Sequence, residues 1–115
     1  MDARIHINVS AVDYDKTSKA VIQQLSLLEE MVHSEDSFTM TDSEFAFGWH
    51  FFVLSVNKSL VQKLSEMMGL DFEKLKGKNT EKKFLTWLTN HLEGKSPRFK
   101  IAIKEEMESS KFGIF

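Results

Sequence analysis

The sequence predicts an α+β fold formed as one domain over residues 1–115, and three observations carry that expectation. Residues 4–12 and 98–104 alternate apolar and polar side chains, the period of a half-buried strand. Residues 21–32 and 84–92 repeat apolar side chains every three or four positions, as a helix with one buried face does. Between them, 38–56 is dense in aromatic and β-branched residues, the composition of paired strands.

In the first strand Ile5, Ile7 and Val9 share one face, with His6, Asn8 and Ser10 on the other. Asp15 or Thr17 can then cap a helix whose stripe is Val21, Leu25, Leu28 and Val32, running to about His33. Lys16 and Lys19 lie near its start and Glu29 and Glu30 near its end, opposite to what the helix dipole favours, so packing must hold it. Residues 38–40 and 45–56 are expected as the arms of a hairpin around the polar turn Thr41-Asp42-Ser43-Glu44. In the long second arm Phe45, Phe47, Trp49, Phe51 and Val53 would share one face and Ala46, Gly48, His50, Phe52, Leu54 and Val56 the other. A strand apolar on both faces belongs in the middle of its sheet. Thr41-x-x-Glu44 also matches a helix capping box, and Phe45, Trp49, Phe52 and Val56 fit helical spacing, but Gly48 and the aromatic clustering favour a strand.

Asn57 or Ser59 opens a short helix with Leu60, Val61, Leu64, Met67 and Met68 inward, ended by Gly69, and 71–76 can add one more turn. After Gly77, Asn79 or Thr80 caps a helix with Phe84, Trp87, Leu88, His91 and Leu92 on its buried stripe; Gly94 stops it and Pro97 prevents its resumption. Phe99, Ile101 and Ile103 point one way in the strand that follows. Residues 105–115 end in the apolar Phe112-Gly113-Ile114-Phe115 and suit an edge strand, a docked tail or an interface. The resulting order, βαββαβ, is the one a ferredoxin-like two-layer sandwich requires, with an antiparallel sheet and both helices on one face.

With no cysteine, the chain has no disulfide, thiolate metal site or cysteine nucleophile, and a reducing, cytoplasmic setting is expected. Met1-Asp2-Ala3-Arg4 lacks the basic and then apolar pattern of a secretory signal and reads as a mature start. The most apolar stretch, 45–56, is broken by Gly48, His50 and Ser55 and falls short of the ~20 residues a spanning helix needs, so no membrane partner is expected.

No local pattern points to catalysis. Glu30-x-x-His33 has a di-iron spacing, but the second copy that chemistry requires is missing, and Glu29 with His33 makes only two ligands. His50, if oriented by Asp42 or Glu44 across the turn, is the one candidate general base, read first as a hydrogen-bonded structural histidine. His91 fits a core or interface, and His6 the exposed face of the first strand. Ser55-x-x-Lys58 straddles a strand end and a helix cap, and Gly77-Lys78-Asn79-Thr80 lacks the upstream glycine and the hydroxyl of a phosphate loop. No catalytic residue, metal ligand or cofactor is assigned, and a small enzyme around His50 is kept only as an alternative.

The charge map is the more informative signal. Residues 1–57 carry three bases and nine acids, or -6, whereas 58–115 carry twelve bases and eight acids, or +4. Glu29, Glu30, Glu35, Asp36, Asp42 and Glu44 form an acidic segment suited to a basic partner. Lys74, Lys76, Lys78, Lys82, Lys83, Lys95, Arg98 and Lys100 form a basic segment suited to an anion or an acidic partner. Ten phenylalanines against one tyrosine and two tryptophans add dry apolar surface, for a core or for an interface. The function expected is therefore non-enzymatic binding of a macromolecule, in the manner of an inhibitor, immunity or adaptor protein. The partner expected is a protein; nucleic acid or another polyanion on 74–100 is the alternative, and a homodimer would cover surplus apolar surface.

Overall fold

The computed structural model describes residues 3–96 and 98–104. Its elements are β1 Arg4–Ala11, α1 Tyr14–Val32, β2 Phe38–Met40, β3 Glu44–Ala46, β4 Trp49–Asn57, α2 Lys58–Met68, α3 Leu70–Glu73, α4 Thr80–Leu92 and β5 Phe99–Ile103. The molecule is α+β, with a five-stranded antiparallel open sheet in the order β2-β4-β1-β5 and β3 also paired to β4. The strand apolar on both faces, β4, is central as expected. Residues 105–115, and with them the expected edge strand or tail, lie outside the described residues.

Alternation along the strands decides which face is covered. Ile5, Ile7 and Val9 of β1, Phe52, Leu54 and Val56 of β4 and Ile103 of β5 are buried against α1, α2 and α4. The helices contribute Val21, Leu25 and Leu28, then Leu60, Val61 and Leu64, then Phe84, Leu88 and Leu92. The opposite face, with His6, Asn8 and Ser10 of β1 and Phe51, Val53 and Ser55 of β4, is less covered. Two inward assignments are corrected. Met67 is 48% exposed, and His91 is exposed, its ring 4.2 Å from that of Trp87 and its Nδ1 2.8 Å from the Trp87 carbonyl. His91 thus covers the buried Trp87 from outside.

The α1 cap is Asp13, whose carboxylate accepts the Lys16 N–H at 3.0 Å, and not Asp15 or Thr17. Thr17 is drawn inward, its hydroxyl hydrogen-bonded to that of buried Ser96. This bond ties the start of α1 to the approach to β5, so Thr17→Val, which keeps the shape, is expected to cost about 1–3 kcal/mol in urea unfolding. At the other end, His33 adopts the left-handed conformation (φ 56°) and Ser34 N–H donates to the Glu29 carbonyl at 2.9 Å, closing the helix in a Schellman turn.

The largest departure from expectation concerns 38–56. The chain does not reverse at 41–44; it reverses at Phe47-Gly48, where both φ angles are positive (54° and 82°) and Ala46 pairs with Trp49. That is the two-residue hairpin whose twist matches the strands, and Gly48 supplies the conformation it needs. Since β1 pairs with one edge of β4 through residues 50–57, β2 and β3 share the other edge. Met40 faces Leu54 and Glu44 faces Phe51, so three residues (41–43) oppose two (52 and 53), one extra residue that makes a bulge. Thr41 bridges it: its N–H donates to the Val53 carbonyl (2.9 Å) and its hydroxyl accepts the Val53 N–H (2.8 Å).

Helix α4 is capped by Asn79, whose side chain accepts the Lys82 N–H at 2.9 Å. Gly77 lies against this turn with φ 146°, where an added Cβ would stand 2.7 Å from Lys83 N and 2.8 Å from Lys82 C and Cβ. Gly77→Ala therefore forces backbone apart and is expected to lower stability by about 1–3 kcal/mol or more, read as a lower thermal midpoint.

Candidate docking surface

Two ends of the sheet locate the charged residues. The Thr17–Ser96 bond sets the exit of α4 beside the start of α1, at the hairpin end. The ion pair Lys58–Glu81 (3.8 Å) sets the starts of α2 and α4 together at the far end. The acidic segment does not form one patch. Glu29, Glu30, Glu35 and Asp36 line a depression at the end of α1, while Asp42 and Glu44 lie at the bulge, six extended residues or about 20 Å further along. Glu29 also has a structural task, accepting the Ser37 N–H at 2.8 Å to hold the turn into β2.

The basic segment is divided in the same way. Lys74, Lys76 and Lys78 lie between α3 and α4, with Lys82 and Lys83 in the first turn of α4. Lys95, Arg98 and Lys100 follow α4, whose thirteen residues separate the two groups by about 20 Å. The Lys83 ammonium donates to the carbonyls of Glu73 and Leu75, fastening the connection beneath α4. Acids and bases thus meet at both ends, and the contrast along the sequence becomes no single acidic or basic pole.

At the hairpin end the turn creates a feature that the sequence reading placed within a strand. Phe47 is 98% exposed at the tip and Phe45 66% exposed beside it. Reversal at 47–48 puts Phe45 opposite His50 and thus on the helical side, while Trp49 and Phe51 take the open face. Phe45, His50, Tyr14 and buried Phe52 form a continuous aromatic row, with ring centroids 4.8, 5.8 and 5.3 Å apart. The row anchors the hairpin in the core, so the tip is held in place. On the open face Lys100 stands 5.6 Å above the Trp49 ring, and Phe51 is 41% exposed.

His50 contributes as a ring in this row. Among the described residues its buried Nδ1 has no hydrogen-bond partner; of the two carboxylates expected to orient it, Glu44 is paired with Phe51 on the other face of the sheet and Asp42 lies in the bulge at 41–43. Among the described residues no three His, Asp or Glu side chains gather as a metal site, and no helix is long and apolar enough to cross a membrane. Comparison with protein-family models, curated proteins and solved structures finds no match, so the functional reading rests on the chain's own residues.

Proposed function

We propose that the protein is a non-enzymatic docking protein of inhibitor, immunity or adaptor type, whose aromatic hairpin enters an apolar pocket on a partner protein. Phe47 carries this reading. A large apolar side chain 98% exposed loses any benefit of burial, and its positive φ is one that Asn or Gly adopts at lower cost. A residue poor for the fold on both counts is accounted for by what it touches outside the fold. Phe45 widens the contact, and the fixed aromatic row limits the ordering entropy lost on binding. Asp42 and Glu44 beside the hairpin favour a partner with basic groups around its pocket.

The strand order supports a ferredoxin-like sandwich when β2 and β3 are counted as one bulged edge strand, since the order is then second, third, first, fourth. A cytoplasmic setting fits the cysteine-free sequence. The test is affinity capture from native host cells with the wild-type chain and a Phe45→Ser, Phe47→Asn double variant in parallel. The proposal expects a partner held by the wild type and absent from the variant; an unchanged set of captured proteins would contradict it. A homodimer through the hairpin would appear instead as a doubled mass in light scattering, lost in the same variant.

One observation favours a second reading, a single-stranded nucleic acid across the open face: Trp49, Phe51 and Lys100 offer stacking and charge side by side. It requires salt-sensitive binding to single-stranded oligonucleotides, weakened by Lys100→Glu. Lys83→Glu is a poor probe because Lys83 holds the α3–α4 connection.

A further inference from the structure

The sheet edge opposite the hairpin has a different character. Among the described residues β5 pairs only with β1, and the bond from Val12 N–H to the Arg98 carbonyl (3.1 Å) sets its phase. In an antiparallel ladder, alternate residues turn their backbone groups to the neighbour. Arg98, Lys100 and Ala102 therefore face β1, and the N–H and C=O groups of Phe99, Ile101 and Ile103 face outward. A row of outward backbone groups is a template for one more strand.

Among the described residues, space for that strand lies beside β5. Among the described residues, a groove of about 730 Å³ reaches from Asn8 and Ser10 on the open face across β5 to Thr89 and Gly94 at the α4 end, and a second of about 320 Å³ passes Thr86 and Gly77; both reach Ile101. Among the described residues the charged side chains lining the two grooves, besides Lys82, which has a partner of its own, are Lys76, Arg98 and Lys100 against the single acid Glu93. The two sides of an added strand would meet different chemistry: Phe99 and Ile101 toward α4, and on the open face Arg98 and Lys100, whose ammonium rests over Trp49 and would swing outward to reach the strand.

We infer that the β5 edge binds an extended acidic segment of a partner protein by strand addition, with apolar residues alternating toward α4 and carboxylates toward Lys100 and Arg98. This surface lies at the other edge of the sheet from Phe45 and Phe47, so it stands or falls separately from the hairpin reading.

The experiment uses the full chain, isotope-labelled for amide NMR, and a fluorescent peptide of alternating Glu and Val. Comparison peptides carry Lys in place of Glu, or a central Pro that blocks strand pairing. Expected are saturable binding of the Glu-Val peptide, shifts centred on the Phe99, Ile101 and Ile103 amides, and affinity about tenfold or more weaker for the Pro peptide and for the Arg98→Glu, Lys100→Glu variant. Ile101→Pro provides a second block: its N–H faces outward, so proline removes a docking group without breaking the β1 ladder. The Phe45→Ser, Phe47→Asn variant should bind the peptide as the wild type does. No binding at low salt, equal binding of the Lys peptide, or shifts centred on 45–51 would overturn the inference. Slow hydrogen exchange at Phe99, Ile101 and Ile103 in the free protein would overturn it too, because the edge would then be occupied by this chain's own residues or by a second copy.

Discussion

Alanine at Phe84 is expected to lower the unfolding free energy by about 3–5 kcal/mol, the range for emptying a core aromatic site. Phe84 is fully buried on α4, where it lies 5.8 Å from the Trp87 ring, nearly parallel to it, in the cluster that joins the helices to the sheet. Domains of this size hold about 5–15 kcal/mol in total, so such a loss takes the chain close to its unfolding threshold. Urea unfolding should show a lower midpoint with an unchanged slope. A loss below about 1 kcal/mol would mean that the α4 stripe does not carry the core.

The second large effect concerns binding and should exceed its cost in stability. Phe45→Ala with Phe47→Ala removes two exposed rings, and central aromatic anchors of an interface typically cost about 2 kcal/mol or more each when truncated. Affinity for the captured partner is thus expected to fall about thirtyfold for each ring and toward about a thousandfold for both, well beyond the stability lost with the Phe45–His50 contact. Equal losses of binding and stability would instead assign the rings to the fold. Salt should weaken the wild-type complex only modestly, because Asp42 and Glu44 are two charges at the edge of an apolar contact.

Much of the fold was legible because periodicity reports burial directly. The alternation of Ile5, Ile7 and Val9, the stripe of Val21, Leu25 and Leu28, and the Asn79 cap all stand as the residues indicate. What the pattern hid were features decided by single residues acting through tertiary structure. Asp15 or Thr17 was expected to cap α1; the helix instead starts earlier on Asp13, and Thr17 is turned inward to a buried partner in Ser96, 79 positions away. An apolar run from 45 to 56 alternates whether it is one strand or two, and Phe47 conceals a turn that Asn-Gly would have announced. The one-residue bulge at 41–43 leaves no compositional mark, yet it returns Phe45 to the face of Phe38 and Met40.

The candidate site was less legible for the same reason. Charge sums along the chain ignore that 29–44 runs through about six extended residues and 74–100 through the thirteen-residue α4, each about 20 Å, so each segment arrives at two places. The surplus of phenylalanine is divided between the core and the surface, and which rings are exposed depends on the turn: only the turn exposes Phe47.

The urea midpoint of the single variant Phe47→Asn tests the central claim without requiring the partner. If Phe47 stands at the tip for docking and not for folding, asparagine, which tolerates the left-handed geometry and forms the favoured turn with Gly48, should raise stability by about 1 kcal/mol. A lower midpoint than wild type would contradict the account, because it would show that the Phe47 ring is held by the fold.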